Sequence, residues 1–162
     1  MTSTDHLGRH PGRPWPQLRP QVAEFYSSLS PETVHWFLAV HHQNMRPGLL
    51  RYVRDAAAGG QPLVLEGSAV RPDLVDADLP PATAFIFLHA HPDILRARVH
   101  AQSGYGELDA AHRALVDAFL DRSLRDNAAI IQDAELRGLP CLDSGDAGAL
   151  DRYVAQMFGR RP

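Results

Sequence analysis

The chain has 162 residues and no lysine: all sixteen of its basic side chains are arginine. This excludes a Schiff-base mechanism, a lysine nucleophile and any phosphate-binding loop that ends in lysine. Cysteine occurs once, at Cys141, so these residues hold neither an internal disulfide nor a thiolate metal cluster. In a predicted strand, that lone thiol reads as a small buried hydrophobe. No apolar run reaches the ~20 residues that a spanning helix needs, and the N-terminus has no signal-peptide core, so a cytoplasmic location is expected. A net charge of −3 gives no reason to expect nucleic acid or an anionic membrane as partner.

What is present suits one domain over residues 1–162, with 44% hydrophobic and 22% charged residues and enough length to bury a core unaided. Residues 1–20 carry Pro11, Pro14, Pro16 and Pro20 with Gly8 and Gly12, which predicts an irregular loop. Within it, Asp5, His6, Arg9, His10, Arg13 and Trp15 set cations, imidazoles and an indole in a proline-stiffened frame, with little freedom to lose on binding an anion.

Residues 20–60 read as helical. A short helix from Pro20 to Leu29 precedes Ser30-Pro31-Glu32, which is an N-cap serine, a proline at the first position and an acid in the first turn. The helix that follows is expected to reach Asn44 and to break or kink at Arg46-Pro47-Gly48, before a second helix from Leu49 to Ala58. Its apolar side is assigned to Val34, Trp36, Phe37 and Val40. Adjacent His41 and His42 point about 100° apart and cannot chelate together. His35 with Gln43, and His42 with Arg46, share faces and read as polar helix surface.

Residues 61–162 read as an α/β core. Gln61-Pro62-Leu63-Val64-Leu65-Glu66-Gly67-Ser68 is a short apolar run stopped by one carboxylate and two small residues, the pattern of a buried strand that delivers an acid to the edge of a sheet. Ligands bind at that edge in open α/β sheets. One helical turn is predicted near Val70–Val75, then a central strand over Ala84–His89, a helix from Pro92 to Ala101, and a flexible loop at Gly104-Tyr105-Gly106. A long helix over Asp109–Arg137, a short strand over Leu139–Leu142 and a last helix over Ala147–Phe158 complete the order. Strands alternating with helices argue for a parallel sheet covered on its faces.

Ser3-Thr4-Asp5, the run Gly8-Arg9-His10-Pro11-Gly12-Arg13-Pro14-Trp15, Leu63 to Ala69, and the strand Phe85–Leu88 leading to Pro92-Asp93 and Leu95-Arg96-Ala97-Arg98 together resemble a group of small actinobacterial P-loop proteins. These are distant relatives of nucleoside-monophosphate, shikimate and gluconate kinases, and the resemblance spans about Ser3 to Leu142. It implies a three-layer α/β fold with a mostly parallel, kinase-type sheet. In such kinases the acid matching Asp5 binds or deprotonates the acceptor, the acid matching Glu66 lies near magnesium and acceptor, and lid arginines, nearest here Arg96 and Arg98, stabilise the transferring phosphoryl group.

The chain departs from its relatives in one respect. They open with a strand, a G-x-x-x-x-G-K-[ST] loop and a helix before the position of Ser3, and no such motif occurs here. The expectation is therefore a helix-rich, truncated version of the fold, without its first strand and without an ATP site. Its flanking strands would pair with each other or with a strand from a second protomer, making a homodimer that completes the sheet.

The expected function is an ATP-independent small-molecule enzyme using acid–base chemistry, or a binding protein, with no cofactor and a polar or anionic ligand. Its catalytic candidates are Glu66, Asp5 and His10, and its substrate-binding candidates are Arg9, Arg13, Trp15, Arg96, Arg98 and Tyr105, the last as part of a lid. One alternative is a small-molecule kinase whose P-loop lies upstream of Met1. Another is a metal-dependent hydrolase using His89 and His91, an H-x-H pair at a strand end with Glu66, Asp93 or Asp143 as third ligand. Asp121, Arg122, Arg125 and Asp126 read as a solvated helix face. Without a phosphate-binding loop, millimolar Mg-ATP is expected to leave the melting temperature of these 162 residues unchanged in a thermal-shift titration, since only a ligand that binds the native state raises it.

Overall fold

The computed structural model describes residues 19–158. Its elements are α1 (Pro20–Ser28), α2 (Pro31–Ala58), β1 (Phe87–His89), α3 (Pro92–Ser103), α4 (Ala110–Leu136), β2 (Cys141–Asp143) and α5 (Ala149–Phe158), with 3-10 turns at Pro72–Asp76 and Tyr105–Glu107.

The long helix α4 is the spine. Its start is fixed by Asp109, whose carboxylate accepts the His112 N–H at 2.8 Å. Its end is closed by Gly138 at φ 62°, a left-handed position that glycine adopts without strain. Here the Leu139 N–H turns back to the Ala134 carbonyl at 2.9 Å. Val116, Leu120 and Ala134 on α4 are buried, and Val116 and Leu120 join Val99 of α3 as the centre of the core. Leu95, Phe119, Leu124, Tyr105 and Leu108 pack around that trio. Burying a side chain such as Leu120 is worth about 1.5–3 kcal/mol. Helix α4 touches α1, α2, α3, both strands and the Pro72–Asp76 turn. Tyr26 of α1 meets Phe119 edge-on, with ring centroids 6.1 Å apart.

Helix α2 begins as expected, with the Ser30 hydroxyl accepting the Thr33 N–H at 3.2 Å. Of the break or kink expected at Arg46-Pro47-Gly48, the break does not occur: one helix runs for 28 residues with Pro47 inside it. Proline removes one hydrogen bond from the ladder, and a helix this long keeps the rest. Arg46, one residue earlier, is also held by the Asp73 carboxylate and donates to the Asp73 carbonyl at 3.0 Å. The assigned apolar side is corrected as well. Val34 and His42, two turns apart, are the buried residues, whereas Trp36 and Phe37 are exposed.

The three-layer, mostly parallel kinase-type sheet is not present. Helices take up 67% of the described residues, and the sheet has two strands of three residues each, paired in parallel with Phe87 opposite Cys141 and His89 opposite Asp143. Residues 61–66, expected to be a buried strand, form no strand, and Val64 is 91% exposed. Residues 84–86, expected to open the second strand, have no strand partner among the described residues either. A short apolar run shows that a segment has something to bury but does not provide the neighbouring backbone that makes it a strand.

The far edge of β1 is partly closed by a side chain. Asn127 of α4 accepts the Ala90 N–H on its Oδ1 and donates from its Nδ2 to the Ala90 carbonyl, both at 3.0 Å, as a neighbouring peptide would. Ala90 is 6% exposed, so water cannot readily replace that amide. Asn127→Ala is expected to cost about 1–3 kcal/mol of unfolding free energy, because it strands a buried N–H and C=O. A urea titration showing less than about 0.5 kcal/mol of loss would contradict the role given to this contact.

Candidate functional site

Helix α2 carries His35, Ala39, His42, Gln43 and Arg46 at helical spacing along one face. That face borders a cavity of about 250 Å³, closed on the other side by Ala69, Arg71, Asp73 and Leu74 and by Asp126 and Ala129 of α4. Two ion pairs span it. Arg71 Nη1 lies 2.7 Å from Asp126 Oδ1, with side chains 17% and 16% exposed, and Arg46 pairs with Asp73. The first pair ties the loop before the Pro72–Asp76 turn to α4, and the second ties that turn to α2. Arg71 uses one of its nitrogens on Asp126, and its other N–H groups have no partner among the described residues.

His42 is 5% exposed, and its Nε2 lies 3.3 Å from the Ser68 hydroxyl. Burial, and next the charge of Arg71, push its pKa below the ordinary 6.5, while Asp126 opposes them in part. At neutral pH the ring is therefore uncharged. With Nε2 as its bare nitrogen, it accepts the proton of the Ser68 hydroxyl. Ser68 is itself exposed, and Gly67 just before it sits at φ 142°, a conformation strained for any residue with a Cβ. The Glu66-Gly67-Ser68 run thus works as a turn that brings a hydroxyl to a buried imidazole.

The residues singled out from sequence are placed elsewhere or outside the described residues. Asp5, Arg9, His10, Arg13 and Trp15 lie outside them. Glu66 is exposed, and among the described residues its side chain makes no hydrogen bond or ion pair. Arg98 is committed to Ser144, donating to its hydroxyl at 3.0 Å and its carbonyl at 3.1 Å, which anchors α3 to the turn after β2. Arg96 is exposed on α3. No hydrogen bond or ion pair joins Glu66 to Arg96, Arg98 or Tyr105 among the described residues.

At Gly104-Tyr105-Gly106, predicted as a flexible loop, the chain forms a 3-10 turn held by side chains. Tyr105 stacks on His100 with ring centroids 4.0 Å apart, and its hydroxyl donates to Asp117 at 2.9 Å. Arg113 holds the Tyr105 and Gly106 carbonyls at 3.1 and 2.9 Å.

The H-x-H pair has no metal geometry. His91 serves as the N-cap of α3, accepting the Asp93 N–H at 3.4 Å, while His89 lies within β1. Among the described residues no group of three His, Cys, Asp or Glu side chains could hold a metal ion. Asp126, read as part of a solvated face, is paired with an arginine 55 positions away.

No protein-family model, no curated protein and no solved structure matches this chain.

The depressed pKa of His42 sets a pH dependence. The unfolded chain takes up a proton near pH 6.5 that the folded protein refuses, so the stability due to neutral His42 is complete above that value and is lost as pH falls through the lower folded pKa. His42→Gln is expected to flatten the decline in melting temperature between about pH 7 and about pH 5. An unchanged slope in that variant would show that other groups set it.

Proposed function

We propose that the chain binds a small, polar, anionic molecule in the α2–α4 cavity and acts on it by acid–base chemistry, without a nucleotide. The observation that carries this reading is the grouping of unused Arg71 donors with a buried, uncharged His42 that touches an exposed serine hydroxyl. Arginine N–H groups in a poorly solvated wall favour phosphate- or carboxylate-bearing ligands, because their fork matches those oxygens. A neutral imidazole beside a hydroxyl supplies a base that can take the proton of that hydroxyl or of a bound substrate.

This reading keeps the expectation of an ATP-independent small-molecule protein and moves its centre from Glu66 to His42. The kinase resemblance rests on sequence runs and contributes no assigned role in this cavity. Two arginine–carboxylate pairs side by side also suit a ligand with both an anionic group and a hydrogen-bond donor.

The test is a thermal-shift panel of inorganic phosphate, citrate and small hydroxy acids. At least one is expected to raise the melting temperature in step with the logarithm of its concentration, as binding to the native state requires. Arg71→Gln/Asp126→Asn removes the charged pair together and leaves no buried lone carboxylate. It is expected to abolish the stabilisation, and His42→Gln to leave most of it intact. Equal stabilisation of the wild type and the Arg71→Gln/Asp126→Asn variant, or none in the wild type, would overturn the proposal.

A further inference from the structure

Residues 62–66 and the outer edge of β1 are each half of a strand pairing. In the β1–β2 ladder, Phe87 donates to the Pro140 carbonyl at 2.9 Å, and the His89 carbonyl accepts from Ser144 at 2.7 Å. Residues 87 and 89 therefore face β2, and the alternation of a strand turns the N–H and C=O of Leu88 to the opposite side. Along that opposite edge Ala90 is taken by Asn127, while Ile86 and Leu88 have no backbone partner among the described residues. Leu88 is 50% exposed.

Residues 63–66, likewise, have no backbone hydrogen bond among the described residues. Leu63 and Leu65 are half-buried while Val64 between them is 91% exposed, which is the alternation of a strand with one face against the protein. Val64, at the centre of Leu63-Val64-Leu65, is a β-branched residue of the kind that suits a sheet. A β edge and an apolar segment that both lack a backbone partner among the described residues make a self-complementary surface: each copy offers what the other lacks.

We propose that two copies of this chain associate by strand exchange of backbone hydrogen bonds, with residues 63–65 of each copy laid along the Ile86–Leu88 edge of the other. The contact is isologous, so it closes at two copies and does not propagate. It covers Val64 and Leu88 together and extends each two-stranded sheet to three strands. It does not depend on the ligand proposed for the α2–α4 cavity.

The experiment is sedimentation equilibrium of the full chain at about 100 µM with three variants, a concentration at which even a micromolar dimer is mostly formed. Val64→Pro removes the N–H needed for the ladder at a position whose side chain is already exposed. Leu88→Asp places a charge on the receiving edge. Leu136→Asp alters another exposed hydrophobic residue, 77% exposed at the end of α4, and is the control.

The wild type and Leu136→Asp are expected at twice 17.9 kDa, and Val64→Pro and Leu88→Asp at 17.9 kDa. Circular dichroism confirms that each variant keeps its helix content. A monomeric wild type overturns the proposal and leaves the edge open to a different polypeptide. A dimer that survives Val64→Pro overturns it too, because it places the interface elsewhere.

Discussion

Helix α4 is the constraint on which the other elements depend. With two three-residue strands, the described residues have no sheet wide enough to act as a floor, and α1, α2 and α3 all pack against one helix. The helix has an end-point at each terminus, the Asp109 carboxylate at the start and Gly138 at the finish, which keeps its length from drifting. Its middle places Val116 and Leu120 in the core, and two turns later Asp126 and Asn127 point their polar groups in different directions. Asp126 serves the cavity, and Asn127 serves the strand. One helix thereby links a polar site and a sheet edge that are remote in sequence.

The cavity shows how polarity is tolerated in this interior. His42 is buried uncharged, and both arginines are matched by carboxylates close at hand, so no lone charge is left in a low-dielectric wall. These pairs connect α2, the Pro72–Asp76 turn and α4. The groups that give the cavity its chemistry are thus also ties between elements, and a ligand entering there meets donors already fixed in place.

Local signals in the sequence were legible. Ser30-Pro31-Glu32 marked the start of α2, Asp109 marked the start of α4, and the breaks at Gly59-Gly60 and Gly138 were visible as glycines after helical runs. Non-local facts were not. Whether Leu63–Leu65 becomes a strand depends on a neighbouring backbone that periodicity does not report, and among the described residues the run has no strand partner. The shared face of His42 and Arg46 was visible from spacing, yet its burial depends on Ser68 and Asp73, 26 and 27 positions away. Glu66 drew attention as a carboxylate after an apolar run, whereas the residue that makes a contact is Ser68, two positions on, turned inward by Gly67.

Pro47 has an effect beyond the course of its helix. A proline inside a helix has no N–H to give to the carbonyl four residues before it, and here that carbonyl belongs to Gln43, which lines the cavity. Helix α2 therefore carries one backbone acceptor with no helical donor, beside a wall otherwise rich in arginine donors. An acceptor of this kind holds water when nothing else is near. On the exposed side of α2, that carbonyl is a point where a donor from outside the helix, whether water or a hydroxyl or amine, can bond directly to its backbone.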